Sequence, residues 1–144
     1  MKYIVVATDD EYKLAEATFK NVPIIKTGVG GVNVIQALKR VNKNSKIINF
    51  GYAGSNKIPI GTRGTISCCK LYHPNVDYEE PLFRLKGEYP CFTSDDFVLK
   101  TDITYPCVFD MELAYILALG FRKVESIKII SDNLSLNQYE EVVK

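Results

Sequence analysis

Lys46-Ile-Ile-Asn-Phe-Gly-Tyr-Ala-Gly54 reads as a buried strand, Lys46–Phe50, that runs into a glycine-rich turn at residues 51–54. A run of apolar residues with no polar alternation is the mark of a strand covered on both faces. The same grammar appears on either side. Tyr3–Ala7 (YIVVA) is a second fully apolar run, and Asp9 and Asp10 are placed to cap a helix with Leu14 and Thr18 on its inner side. Pro23–Thr27 is a strand ending in the turn Gly28-Val29-Gly30-Gly31, and a helix follows to about Asn42 with Val34, Leu38 and Val41 on one face.

Downstream, Thr65–Cys69, Pro90–Phe92 and Ser126–Ile130 read as strands, with Tyr72–Glu88 as a long polar loop. Met111–Leu119 and Leu136–Val143 read as helices. Strands alternating with helices predict an α/β fold, a three-layer αβα sandwich on a mostly parallel mixed sheet. Ligands in such folds collect at the carboxyl ends of strands, where the glycine turns and several acids fall.

The chain has 144 residues, and no repeat or linker divides it, so one domain over 1–144 is expected. Eighteen basic against seventeen acidic side chains leave a net charge of +1. No global field therefore draws it to nucleic acid or an anionic membrane. The cysteines Cys68, Cys69, Cys91 and Cys107 form no CxxC pair, and His73 is the one histidine, so no zinc-ligand spacing exists. They read as core thiols of a reducing compartment. With no secretory-type leader and nothing near the roughly 18 apolar residues of a membrane span, a cytoplasmic protein is expected.

Three acidic segments carry the candidate chemistry. In Asp110-Met-Glu-Leu-Ala-Tyr-Ile-Leu-Ala-Leu-Gly120, everything from Met111 to Leu119 except Glu112 is apolar. A carboxylate in such a helix is costly without donors. It serves either as a helix-terminal acid or buried ion pair, or as an acceptor for a ligand's hydroxyl pair. Asp132 follows a buried strand and is either a cleft carboxylate or, like Asn133, a cap for the last helix. Asp9-Asp10-Glu11 is a capping cluster unless one member turns into the cleft as a general base. Gly28-Val-Gly30-Gly31 is a poor match to a dinucleotide fingerprint. It suits either a tight turn or backbone amides brought close to a small ligand.

In order along the chain, VVATDDE, KTGVGGVNV, INFGYAGS, TSDDFV, FDMELAYI and KIISD resemble the successive landmarks of the methylthioadenosine/S-adenosylhomocysteine nucleosidases and their phosphorylase relatives. The resemblance spans about residues 5 to 133. It implies a phosphorylase/hydrolase-like fold and hydrolysis of the N-glycosidic bond of an adenine-type nucleoside. Glu112, with Met111, would hold the ribose hydroxyls. Asp132, aided by Ser131, would protonate N7 of the base. With one residue dropped from the first strand, Glu11 would activate water; an ungapped alignment puts Tyr12 there instead. Phe97 would stack on the base and the Val98 backbone would meet its edge. Thr27, Gly28 and the loop from Gly51 to Gly54 would line the nucleophile pocket, and Lys128 stands where the nucleosidases usually have arginine.

Such a set suits the reaction. Cleavage leaves positive charge on the sugar and sends electrons into the base, so an acid at N7, a base on water and a carboxylate near the cationic ring each lower the barrier. No metal or organic cofactor is implied. The expected partners are a small-molecule nucleoside, water or phosphate as co-substrate, and a second copy in a homodimer. The segments that relatives carry after the first helix, before TSDDFV and between Phe97 and Asp110 are absent or short. The loop from Gly51 to Gly54 has no arginine for phosphate, which favours hydrolysis over phosphorolysis. A phosphate-dependent phosphorylase and a non-catalytic nucleoside-binding protein are the alternatives.

Overall fold

The strand predicted at Lys46–Phe50 is twice that length. β3 (Lys46–Ser55) runs straight through Gly51 and Gly54, and it organises the sheet because its two edges serve three neighbours. The computed structural model describes residues 1–72 and 83–143. β3 lies parallel to β1 (Lys2–Val6) over its first residues, then antiparallel to β7 (Val108–Asp110) at Gly54 and Ser55. Along its other edge it pairs in parallel with β8 (Lys123–Asp132), with a register shift between Ala53 and Gly54. β2 (Ile24–Lys26) extends β1 at the outer edge.

β8 in turn pairs antiparallel with β4 (Arg63–Leu71), and β4 carries β6 (Tyr89–Thr93) and the short β5 (Phe83–Arg84). Because β6 also pairs with β7, the strands β3, β7, β6, β4 and β8 close on themselves. The expected mostly parallel mixed sheet is present, but the three-layer sandwich holds only in part. Around β1 and β3, side chains alternate between two layers. Ile4, Val6, Ile48 and Phe50 meet Ala15 of α1 (Asp9–Thr18) on one face. Val5 and Ile47 meet Val34 and Leu38 of α2 (Gly31–Leu38) and Ile116 of α3 (Leu113–Ala118) on the other. Beyond Gly51 the sheet curls shut around a core of Ala53, Ile66, Cys69, Cys91, Val108 and Ile130, sealed by Leu113 and Ala114. Long twisted strands that change partner midway curl rather than stay open, and the bulge at Ala53/Gly54 sharpens that curl.

Local expectations are revised at several points. Thr8, not Asp9 or Asp10, caps α1, and Thr8 with Glu11 forms a reciprocal capping box. Thr18 is exposed, and the buried face of α1 is Glu11 and Ala15. α2 ends at Leu38 rather than near Asn42, although Val41 still packs on its cluster. α3 is shorter than Met111–Leu119, and Glu112 stands at its N-cap instead of inside its first turn. Neither Asp132 nor Asn133 caps the last helix, α4 (Leu136–Val143), whose first turn is met by Ser135 Oγ accepting from Gln138 N at 3.3 Å. The predicted loop Tyr72–Glu88 contains β5; its residues 73–82, including His73, lie outside the described residues.

Replacing Thr8 by alanine removes the side-chain half of the capping box while Glu11 keeps its strand contacts. Thr8→Ala is expected to cost about 1 kcal/mol, read as a lower denaturant midpoint at unchanged slope.

Candidate functional site

Each of the three predicted carboxylates is received by a glycine segment. Glu11 Oε1 accepts from Ala7 N at 2.8 Å and Thr8 N at 3.3 Å, and Oε2 accepts from Tyr52 N at 2.8 Å. A Cβ on Gly51 would lie 2.3 Å from Glu11 Oε2, so the acid reaches β3 only because residue 51 has no side chain. Asp132, 1% exposed, accepts from Ser131 Oγ at 2.8 Å and Leu134 N at 2.9 Å. A Cβ on Gly54 would stand 2.8 Å from its Oδ1. Glu112 Oε2 accepts from Gly30 N at 2.9 Å, at a residue whose φ of 90° suits glycine. Gly51 and Gly54 are therefore clearance for acids within a strand, not the turn expected there.

A small cavity of about 30 Å³ opens beside Asp132. Gly54, Phe97, Val98, Met111, Asp132, Asp110, Asp96, Phe109 and Leu134 line it. Five of the predicted site residues thus share one hollow: Gly54, Phe97, Val98, Met111 and Asp132. Phe97 meets the ring of Tyr139 edge-on at 5.9 Å, which brings α4 over the cleft. The Tyr139 hydroxyl is held above its ordinary pKa by burial first, then by the charges of Glu11, Asp10, Asp132 and Glu112. The three predicted acids therefore act on one group. Tyr12, the alternative to Glu11, packs instead against the cluster of Ile4, Val6, Ala15, Ile48 and Phe50.

Thr27 and Gly28 do not line this cavity. Thr27 N bonds Val6 O at 2.9 Å, Gly28 N bonds Ala7 O at 3.1 Å, and Thr27 Oγ1 donates to Gly28 O at 2.7 Å. They fix the turn that leads to Gly30. Ser131 donates to Asp132 and is itself fully buried.

Lys128 is placed differently from a residue at a ligand. It is 2% exposed and reaches Asp110 Oδ2 at 3.2 Å. Burial lowers its pKa, but Asp110, then Cys91, Glu112 and Glu11, raise it by more, so the ammonium stays charged. Asp110 is the residue the sequence reading overlooked. Its Oδ1 accepts from Thr93 Oγ1 at 2.5 Å, and its Oδ2 accepts from Leu113 N at 2.7 Å, capping α3. A lysine between isoleucines on an apolar strand, matched by an acid at the end of VFD, was the available signal.

Glu112 carries the clearest electrostatic consequence. Burial is the main cause that pushes its pKa from 4.5 up to about 7; Asp110 and Glu11 add to the rise, while Lys128 and the Gly30 amide oppose it. Cys69, Cys91 and Asp110 are the one thiol–acid group among the described residues close enough to share a cation. The chemistry of the set disfavours one. Cys91 is held strongly protonated, chiefly by burial, and Asp110 is already matched by Lys128. All four cysteines are free. No helix among the described residues is long and apolar enough to cross a membrane.

No protein-family model matches the sequence. No curated protein matches it significantly. Solved structures do match in fold. A nucleosidase (MTAN) from Chlamydia trachomatis bound to MTA superposes with a TM-score of 0.77 at 17% identity, covering 99% of this chain and 88% of that one. The 5′-methylthioadenosine/S-adenosylhomocysteine nucleosidase of Colwellia psychrerythraea, in complex with adenine, gives 0.75 at 15% identity over 99% and 87%. The Neisseria meningitidis enzyme with methylthio-immucillin-A gives 0.74 at 16% over 99% and 91%. The chain shares the fold of these nucleosidases.

A carboxyl with a raised folded pKa holds a proton that the unfolded chain has released. Its contribution to stability is full at or below about pH 4.5 and declines as pH rises through about 7. That loss is on the order of 2 kcal/mol, allowing for partial exposure. Urea unfolding between pH 4.5 and 8 should show the decline in the wild type and a flatter profile in Glu112→Gln; equal slopes would contradict the assignment.

Proposed function

We propose that this protein is a nucleosidase that hydrolyses the N-glycosidic bond of an adenine-type nucleoside such as methylthioadenosine or S-adenosylhomocysteine. The observation that supports the reading is the cavity that Asp132 shares with Phe97, Val98 and Met111, with Glu112 next to Met111 in the chain and the charges of Glu11, Glu112 and Asp132 all felt at Tyr139. The fold adds support. Similar structures at low identity hold MTA, adenine and methylthio-immucillin-A.

The base enters between Phe97 and Asp132, with the Phe97 face as an apolar wall. As the glycosidic bond lengthens, electrons flow into the purine and N7 becomes basic. Asp132 gives its proton there, held in place by Ser131 Oγ and Leu134 N. Glu112 takes the ribose 2′- and 3′-hydroxyls. Its Oε2 is fixed by Gly30, and among the described residues its Oε1 has no protein partner. Ionised, it also stabilises the positive charge that develops on the sugar ring.

Water attacks the opposite face of the anomeric carbon and loses a proton to Glu11. Three backbone amides hold that carboxylate still, so it need not reorganise as charge develops. The same three bonds make Glu11 a structural cap, which is what a non-catalytic nucleoside-binding protein would keep. Hydrolysis is preferred to phosphorolysis because residues 51–54 offer no arginine for phosphate.

We also infer a homodimer in the cytoplasm. Val32 and Ile35 on α2, with Val29 just before it, leave an exposed apolar patch next to Gly30, with Val32 71% exposed, which suits cover by a second copy. Four free thiols suit a reducing compartment.

Incubation with methylthioadenosine in phosphate-free buffer should release free adenine. Asp132→Asn should lower turnover by about two to four orders of magnitude with the fold intact. A strict need for added phosphate would make the protein a phosphorylase, and absence of free base under both conditions would leave a binding protein.

A further inference from the structure

Lys128 is the one cation among the buried residues described. It lies on the face of β8 shared by Ile130 and Val124, pointing into the closed part of the sheet where Cys69 and Cys91 pack. An ammonium there is retained only if its counter-charge is close. That counter-charge is Asp110, whose Oδ2 is 3.2 Å from Lys128 Nζ. The described residues show no ion pair between Lys128 and Glu112, and the cavity beside Asp132 is lined by Asp110 and not by Lys128.

Asp110 works in both directions. Its Oδ2 also accepts from Leu113 N at 2.7 Å and Glu112 N at 3.4 Å, which fixes the backbone that carries Glu112. Its Oδ1 is held by Thr93 Oγ1 at 2.5 Å and the Cys91 thiol at 3.4 Å. Thr93 spends its proton on Asp110, so its oxygen is left to accept from Ala114 N at 3.0 Å, one residue further along α3. The network is anchored on β6, β7 and β8, and its free end is the carboxyl of Glu112.

We propose that Lys128 is a positioning residue that fixes the direction of Glu112 through Asp110 and, as the nearby cation, sets its charge, without touching the substrate. The functional consequence rests on the reading of Glu112 as the ribose-binding carboxylate. The charged and polar groups that act on Glu112 are Asp110 on β7, Lys128 on β8, Glu11 on α1 and the Gly30 amide at the start of α2, and Glu112 in turn acts on Tyr139 of α4. Only Lys128 among these is cationic. Removing it leaves Glu112 facing acids alone, whereas removing the charge of Asp110 relieves it.

The experiment follows the Glu112 carboxyl directly, by carbon-13 NMR titration of the full chain with labelled glutamate, its signal identified by loss in Glu112→Gln. The wild-type midpoint should fall at about 7. Lys128→Met should raise the proton affinity by about tenfold or more, Asp110→Asn should lower it, and Lys128→Arg should leave it near the wild type. Should Lys128→Met fail to fold, the double variant Lys128→Met/Asp110→Asn removes both buried charges together, and its midpoint should lie between those of Asp110→Asn and Lys128→Met, set by its difference from Asp110→Asn alone. An unmoved midpoint, or shifts of the same sign in the Lys128→Met and Asp110→Asn proteins, would overturn the proposal. So would a KM raised equally at every pH with no change in the titration, which marks direct contact. The acid limb of kcat/KM for adenine release should track the NMR midpoint. Opposite NMR shifts without base release at any pH would retain the positioning role and reject the nucleosidase reading.

Discussion

The structure turns on the cost of gathering three carboxylates, Asp110, Glu112 and Glu11, near one buried ammonium, with a fourth, Asp132, buried beside the cavity. Like charges in a poorly solvated cleft repel strongly, and each acid needs donors or a counter-ion. The chain meets that need mostly with backbone. Glu11 takes three amides, Glu112 takes Gly30 N, and Asp132 takes Leu134 N with the Ser131 hydroxyl. Lys128 neutralises Asp110, which is itself buried. Burial first, then the charge of Asp110, pushes the pKa of Glu112 up to about 7. Groups perturbed in this way gather at functional sites more often than elsewhere.

Glycine makes the arrangement sterically possible. Any side chain at residue 51 or 54 would occupy the space of the Glu11 or Asp132 carboxylate. β3 continues through both positions as one strand, so the acids approach its main chain without breaking the sheet. The bulge between Ala53 and Gly54 then sets Asp132 opposite Gly54. Closure of β3, β7, β6, β4 and β8 brings Asp110, at the end of β7, to Lys128 on β8. β7 and β8 each flank β3 and do not pair with each other, so Asp110 and Lys128 meet across the interior of the closed ring.

Much of this was legible in the sequence, for reasons that differ by residue. The apolar runs YIVVA and KIINF announced β1 and the start of β3, because burial on both faces removes polar alternation. Their glycine endings were misread, since a glycine that clears space for an acid looks the same locally as one that turns the chain. β5 and β7 have two and three residues and carry no periodic signal. Ring closure depends on strands changing partner midway, which pairwise pattern does not encode. Glu11, Glu112 and Asp132 stood out through the order of their motifs rather than by spacing alone, and where each stands in the fold is set by tertiary contacts. Lys128 was expected at the ligand because of its place in the motif; burial in the closed core instead turns it toward Asp110.

The central claim is that one nucleoside spans the hollow between Phe97 and Glu112 with Asp132 at its base. A crystal structure of Asp132→Asn soaked with methylthioadenosine tests it most directly. The account predicts density for an intact nucleoside, its purine against Phe97, its N7 toward residue 132 and its ribose hydroxyls on the Glu112 carboxylate. A nucleoside bound elsewhere on the molecule, or a sugar turned away from Glu112, would contradict it.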